Sequence, residues 1–389
     1  MTNESTRQLS WGRMHKVWLN LRRVIAIAEL IGLPRATKMV EMQNISNAPL
    51  NPEVRLKASL WTSICSVERI ACLLHNFPAA TLRYSSAASQ PLVIDGTVQP
   101  RVYMLRLSGV AAKIQDMDDL SMGGAPEPEV NAVVLQLDNE LRLLANEVPR
   151  DWWAALPSEM TTAHLLQLLH NVILMRTHLV FTMRRSPQGA YLYSQQACLE
   201  ACREVAQRWR ILRRSLPLGF FISRMMDLQV FTAAIVLLLA TQSAGTLQDS
   251  VPGTNRIQLR ECVAQTIDLL QEKAKDPVGS DVAGEAVQAI QSLTMLLEHK
   301  SDELEADVYL KLTVPRLGKV HVRRNPETMH KSLAMPGPEV QNEAVADLPI
   351  AMSEIQNQDL WNQDPFSWFI EDDYSGMFGD NLMDPAVGI

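Results

Sequence analysis

"MTTAHLLQLLHNVILMRTHLVFTMR" runs from Met160 to Arg184. On a helical projection Leu165, Leu166, Leu168, Leu169, Val172, Ile173, Leu174, Met175, Leu179, Val180 and Phe181 cover almost every direction. A helix at a protein surface carries one apolar stripe, whereas a helix apolar on every side needs neighbours on every side. The stretch contains no Gly or Pro and is too long for an ordinary strand. It predicts a helix over 160–184 at the centre of an all-α bundle.

The flanking sequence supplies the walls. In "MHKVWLNLRRVIAIAELIGLPR", Met14 to Arg35, the residues Val17, Leu21, Val24, Ala28 and Ile31 recur at steps of three and four, one face of a helix. Gly32 and Pro34 are expected to stop it. In "NPEVRLKASLWTSICSVERIACLLHNFP", Asn51 to Pro78, a second stripe is formed by Leu60, Ile64, Val67, Ala71 and Leu74. Asn51 and Pro52 suit an N-cap and first turn, and Pro78 limits the other end. Further helices are predicted over 100–116, 129–147, 191–214, 219–242, 256–275 and 284–308. Gly- and Pro-containing stretches such as "DDLSMGGAPEPE" and "DPVGSDVAG" read as loops. No strand alternation and no fixed-period repeat is apparent. Residues 1–310 are therefore expected to form a single large multi-helix, bundle-like domain.

Composition agrees with this. Of 389 residues, 47% are apolar, enough for a sizeable core, and Leu, Ala, Met, Gln, Glu and Arg favour helix. The longest apolar run, Val230 to Ala240, is shorter than the ~20 residues that span a bilayer, so a buried helix and no membrane association are expected. The first residues show no continuous apolar segment of a signal peptide. Cys65, Cys72, Cys198, Cys202 and Cys262 have no framework spacing and fall within apolar patterns, which suits core thiols in a reducing compartment.

The formal charge of −7 is unevenly placed. Residues 351–389 hold eight carboxylates and no Lys or Arg, which leaves 35 acidic against 36 basic residues elsewhere. This acidic segment also carries Trp361, Phe366, Trp368, Phe369, Tyr374 and Phe378. Repelling carboxylates without bases keep a chain open, so a disordered tail is expected. Its aromatics remain available to a partner's apolar groove, the composition of acidic-hydrophobic activation segments. The alternative is a strap whose aromatics dock on the chain's own bundle. Residues 311–350, with "VPRLGKVHVRRNPE" and "MPGPE", read as a Pro/Gly/basic linker. Its bases, Lys311, Arg316, Lys319, Arg323 and Arg324, serve solubility, nuclear import or nucleic-acid contact.

Enzymatic signatures are missing. There is no GxxxxGK[ST], GxGxxG, GxSxG, HExxH or CxxC, so no catalytic, cofactor-binding or metal-binding residue is assigned and no cofactor is expected. "MGGAP", Met122 to Pro126, reads as turn chemistry. His164, His170 and His178 sit on the central segment, with His170 and His178 two turns apart, too far to share one ion.

Read together, several segments resemble the fungal-specific transcription factor domain, the middle homology region of fungal Zn2Cys6 (zinc binuclear cluster) regulators. "AIAELIGLPR" resembles the family's helix ending in Gly-Leu-(His/Pro)-Arg, through Gly32, Leu33 and Arg35. "RLKASLWTSICSVERIACLLHNFP" resembles its Leu-Trp, acidic-Arg and Pro pattern, through Leu60, Trp61, Glu68, Arg69 and Pro78. "LLQLLHNVILMRTHLVF" resembles its leucine-rich helix, and "YSQQACLEACREVAQRW" the one after it, through Ser194, Cys198 and Arg203. The likeness covers roughly 10–300. It implies an all-helical regulatory domain of a non-enzymatic RNA polymerase II transcription regulator located in the nucleus. The partners implied are transcription machinery or a coactivator at the tail, a small-molecule effector, and a second copy of the chain. The family's six-cysteine C-x2-C-x6-C runs do not occur here, so DNA is a partner only through a zinc cluster ahead of this sequence or on another chain. The competing expectation is an all-helical enzyme on the His170–Arg176–His178 helix, or a scaffold. Purified protein is expected to carry substoichiometric zinc by metal analysis; one tightly held zinc per chain would contradict this.

Overall fold

The computed structural model describes residues 14–46, 51–84, 90–154, 161–182, 191–216, 218, 220, 222–241, 256–277, 281–298, 309–314, 318–324 and 350–351. The fold is all-α. Helices α1 (Met14–Leu30), α2 (Leu33–Ser46) and α3 (Pro52–His75) precede a small hairpin, β1 (Val93–Ile94) and β2 (Thr97–Val98). Then come α4 (Pro100–Met122), α5 (Glu127–Asn146), the single-turn α6 (Arg150–Ala154), α7 (Thr162–Thr182), α8 (Leu192–Ser215), α9 (Ser223–Ala240), α10 (Arg256–Lys273) and α11 (Asp281–Glu298). Strands β3 (Tyr309–Val314), β4 (Gly318–Arg324) and β5 (Ile350–Ala351) follow.

Helix α7 lies at the centre, as its composition requires. Leu166, Leu168, Val172, Ile173, Met175, Leu179 and Phe181 are all buried. Its most extensive neighbour is α8, with α4 and α5 also against it. Helix α8 in turn packs on α9, and α9 on α10 and α11. One continuous apolar core thus runs from Val17 and Leu21 in α1 to Ile290 and Leu293 in α11. Helix α9 is the one described helix long and apolar enough to cross a membrane. It is instead enclosed: Val230, Phe231, Ala233, Ala234, Ile235, Val236 and Leu237 are each at most 1% exposed.

A smaller core joins α1, α2 and α3 through Ile25, Ala28, Leu33, Trp61 and Cys65. Tyr84 meets Trp61 edge-on at 4.9 Å between ring centroids. The α1–α2 junction differs from the sequence expectation. Gly32 ends α1 at φ +80°, but Pro34 lies in the first turn of α2. A first-turn N–H has no intrahelical acceptor, so proline loses nothing there. Helix α3 begins as expected, with Asn51 accepting from the Glu53 N–H at 2.9 Å and Pro52 next. It ends on Asn76, whose left-handed backbone donates its N–H to the Cys72 carbonyl.

Four features were not anticipated: α2, the β1–β2 hairpin, α6 and the β3–β4 hairpin. Helix α6 is too short for periodicity to register. The stretch read as unstructured linker contains the β3–β4 hairpin, which pairs Leu310 with Val322 and Leu312 with Val320. Residues Ile350–Ala351 add to it beside Arg324 and Arg323. The signal was a period-two alternation of Leu310, Leu312 and Val314 answered by Val320 and Val322, shorter than a convincing strand pattern. Residues 299–308, and the tail after Ala351, lie outside the described residues.

Asp227 on α9, fully buried, accepts from Trp209 Nε1 at 2.9 Å and Arg213 Nε at 3.1 Å. Burial pushes the Asp227 carboxyl up against the pull of Arg213 and Trp209. Asp276 stands 3.8 Å from Arg213 as a second, weaker partner. Removing one member of a buried pair strands the other. Asp227→Leu is expected to cost about 3 kcal/mol, a fall in Tm on the order of 5 °C for a domain of about 300 residues, measured by calorimetry; an unchanged Tm would show that the pair is not what holds α8 to α9.

Candidate functional site

The family-motif residues fall into three groups. Gly32 and Leu33 form the α1–α2 corner, with Leu33 buried and Arg35 exposed. Leu60 is half exposed while Trp61 is buried against Tyr84. Glu68 and Arg69 are 1% and 3% exposed. They clamp the loop after α3. Glu68 Oε1 accepts the Ala80 N–H at 2.5 Å, and Oε2 accepts the Thr81 hydroxyl at 2.7 Å. Arg69 Nε donates to Thr81 Oγ1 at 3.2 Å, and Nη2 to the carbonyls of Thr81, at 2.6 Å, and Tyr84. The exposed Pro78 offers its carbonyl to Arg22 Nη2 at 2.5 Å and Trp18 Nε1 at 3.4 Å. On α8, Ser194 and Cys198 are buried and Arg203 is exposed. Leu33, Trp61, Glu68, Arg69, Pro78 and Cys198 hold elements together. Trp361, Phe366, Trp368, Phe369, Tyr374 and Phe378 lie outside the described residues.

The residues of the enzyme alternative are separated. His178 Nε2 is 3.1 Å from Asp138, Arg176 reaches Asp118 at 2.5 Å, and His170 Nδ1 lies 2.8 Å from the Tyr103 hydroxyl. Each thus has a different partner on α4 or α5. Among the described residues no three His, Cys, Asp or Glu side chains are grouped to hold a metal ion. All five thiols are free, and burial pushes Cys65 up to about 11 and Cys72, Cys202 and Cys262 up as well. Burial thus keeps Cys65, Cys72 and Cys202 in the thiol form.

Where α5, α6, α7 and α8 meet, a cleft of about 670 Å³ opens. Arg142 from α5, Arg150 and Trp153 from α6, His170, Asn171 and Leu174 from α7, and Glu204 and Arg208 from α8 line it. Trp153 is half-buried; its Nε1 donates to the Ala145 carbonyl at 3.2 Å, and its ring meets His170 edge-on at 5.1 Å. The Arg208 guanidinium lies 5.5 Å from the Trp153 ring centroid, donates Nη1 to Gln167 Oε1 at 2.6 Å and pairs with Glu204 at 3.1 Å. Arg142 lies against Asp138 through Nε at 2.9 Å.

The state of His170 follows from its surroundings. Burial, with the charges of Arg208 and Arg142, pushes it down to about 3, so the ring is neutral. The buried Tyr103 hydroxyl, its own ionisation pushed up by burial, has no other hydrogen-bond partner among the described residues. Tyr103 therefore donates to Nδ1, which leaves the ring proton on Nε2. Only His170 of this cleft was singled out in the sequence. The three arginines come from three helices, and no spacing connects them.

Asp138 fixes one wall of the cleft. Burial pushes its carboxyl up, but hydrogen bonds from His178, Tyr193 and Arg142 prevail and hold it at about 2. Depressed below its unfolded value, it contributes stability above about pH 4 that is lost as pH falls through about 2. Because the Arg142 end is exposed, solvent reduces this to ~1–2 kcal/mol. Asp138→Asn is expected to flatten the decline of chemical-denaturation stability between about pH 4 and 2; an unchanged slope would contradict the assignment.

The chain is 24% identical over 335 residues to transcription factor sdnS of Sordaria araneosa, a match covering 81% of this chain and 42% of that protein. It is 24% identical over 374 residues to a dehydrocurvularin biosynthesis regulator of Aspergillus terreus, covering 86% of this chain and 49% of that protein. Transcription factor eupR of a Phoma species is 29% identical over 143 residues, 36% of this chain and 29% of its own. The chain spans about half the length of the curated relatives that it matches over most of its own. No family model matches the chain, and no solved structure matches it.

Proposed function

We propose that this chain is the regulatory and activating part of a fungal transcriptional regulator. The reading places it in the Zn2Cys6 family, with residues 1–310 as the middle homology domain, 311–350 as a connecting segment and 351–389 as the activation segment. The observation that carries the proposal is the likeness, over more than 80% of this chain, to proteins named as transcription factors and pathway regulators. The motif residues support it in a structural role: Gly32, Trp61, Glu68, Arg69 and Cys198 hold helices and loops in register. The chain is read as non-enzymatic and nuclear, acting on RNA polymerase II transcription. DNA contact would come from a zinc cluster ahead of this sequence or on a partner. A second copy of the chain and a small-molecule effector complete the proposed partners.

In this reading the tail makes the contact with coactivator or transcription machinery. Its eight carboxylates without a base keep it extended and tune association, while buried aromatic area supplies affinity. Each buried aromatic contributes on the order of 1.5–3 kcal/mol, so losing two costs well over tenfold. Residues 351–389, fused to an unrelated DNA-binding domain, are expected to activate a reporter. Trp368→Ala with Phe369→Ala should nearly silence it, and Asp372→Asn with Asp373→Asn should only weaken it. An inert parent fusion would remove the activation role and favour docking of the tail on the chain's own helices. Full activity of the aromatic double variant with a silent Asn variant would remove the aromatic-contact mechanism.

A further inference from the structure

We infer that the cleft between α5, α6, α7 and α8 is a binding site for a small planar monocarboxylate whose conjugated ring carries a carbonyl or hydroxyl group. This rests on the regulatory reading only for a small-molecule effector, and its chemistry is argued from the cleft.

The volume, about 670 Å³, lies within the ~300–1,000 Å³ of small-molecule sites. The sign and number of ligand charges follow from which cations are already matched. Arg208 is committed to Glu204 and Gln167. Arg142 is held through Nε by Asp138 and Tyr193, and its outer nitrogens have no hydrogen bond among the described residues. Arg150 is exposed and has no ion-pair or hydrogen-bond partner among the described residues. The cleft therefore offers one unmatched guanidinium beside the outer edge of a second. That fits one carboxylate, which guanidinium can take by two parallel hydrogen bonds. A dianion would require a further free cation that the walls do not hold.

Shape and polarity are set by Trp153, His170 and Asn171. Trp153 is locked by its bond to Ala145 and flanked by Arg208 and His170. A rigid indole wall favours a flat ring, which gains area without losing rotamer freedom. His170 is 4% exposed and lines the cleft. Its Nε2–H has no acceptor among the described residues, because Tyr103 occupies only Nδ1. This donor opens onto the cleft, where a ligand oxygen can accept from it. Asn171, 7% exposed, donates Nδ2 to the Gln167 carbonyl at 2.9 Å and leaves Oδ1 without a partner among the described residues. One donor and one acceptor thus line the same cleft as the guanidinium, the complement of a hydroxylated or keto aromatic acid.

The test uses the full chain and a probe of this class, 3-hydroxy-2-naphthoate, with its carboxamide as the uncharged counterpart. Calorimetric titration is expected to show saturable binding of one naphthoate per chain, with the amide at least tenfold weaker. Arg150→Gln, which breaks no contact seen here, is expected to weaken the naphthoate at least fivefold at unchanged Tm. Arg35→Gln, an exposed position outside the cleft, should bind as the parent does. Absence of saturable naphthoate binding would overturn the inference, as would equal binding of the amide or undiminished binding by Arg150→Gln. The measurement needs no transcription, so an inert tail in the reporter assay and an empty cleft in the titration are separate failures.

Discussion

The fold depends on a helix that has no face to give to water. Once α7 is apolar all round, each of its sides must meet another element, and α4, α5 and α8 are those elements. The same enclosure governs its polar residues. Thr177 and Thr182 return their hydroxyls to carbonyls one turn back, at 2.9 and 3.0 Å, and Asn171 does so with its amide. Gln167 reaches the Trp152 carbonyl on α6. His170, Arg176 and His178 are too far along their side chains for such local solutions. They take Tyr103, Asp118 and Asp138, and so determine how α4 and α5 are rotated against the centre. Buried polar groups must be satisfied, and here that requirement orients whole helices.

The architecture was legible because this constraint is written in composition. The continuous apolar surface of 160–184 predicted a central helix, and the Gly and Pro positions predicted most of the breaks. Helix α2 was missed because Pro34 looked like a terminator, when a first-turn proline is neutral. The β3–β4 hairpin was missed because five alternating residues among bases and prolines do not separate from an irregular segment. Long-range partners could not be seen at all. Nothing in the sequence marks the charged pair Glu68 and Arg69 as buried, yet Thr81 and the backbone at 80–84 lie over them. The cleft was invisible for the same reason: Arg142, Arg150, His170 and Arg208 are brought together only by the crossing of four helices.

Body and tail follow different physical rules. In the helical body, charge is matched locally: Asp227 by Arg213, Asp138 by Arg142, Glu204 by Arg208. In residues 351–389 the carboxylates have no matching base anywhere in the segment. The near-neutral balance of the body and the strongly acidic tail are thus separate properties, and the net charge of −7 describes neither.

The clamp after α3 has a consequence for how this protein can change. Glu68 and Arg69 bind the main-chain N–H of Ala80 and the main-chain carbonyls of Thr81 and Tyr84. Among the described residues, Thr81 is the loop side chain they bond. Every residue type presents the same N–H and C=O, proline's missing N–H excepted. Positions 79, 82 and 83 can therefore accept new side chains without disturbing the grip, while 68, 69 and 81 cannot. The loop is a fixed backbone frame on which surface chemistry is free to drift, a place where related proteins can differ without refolding.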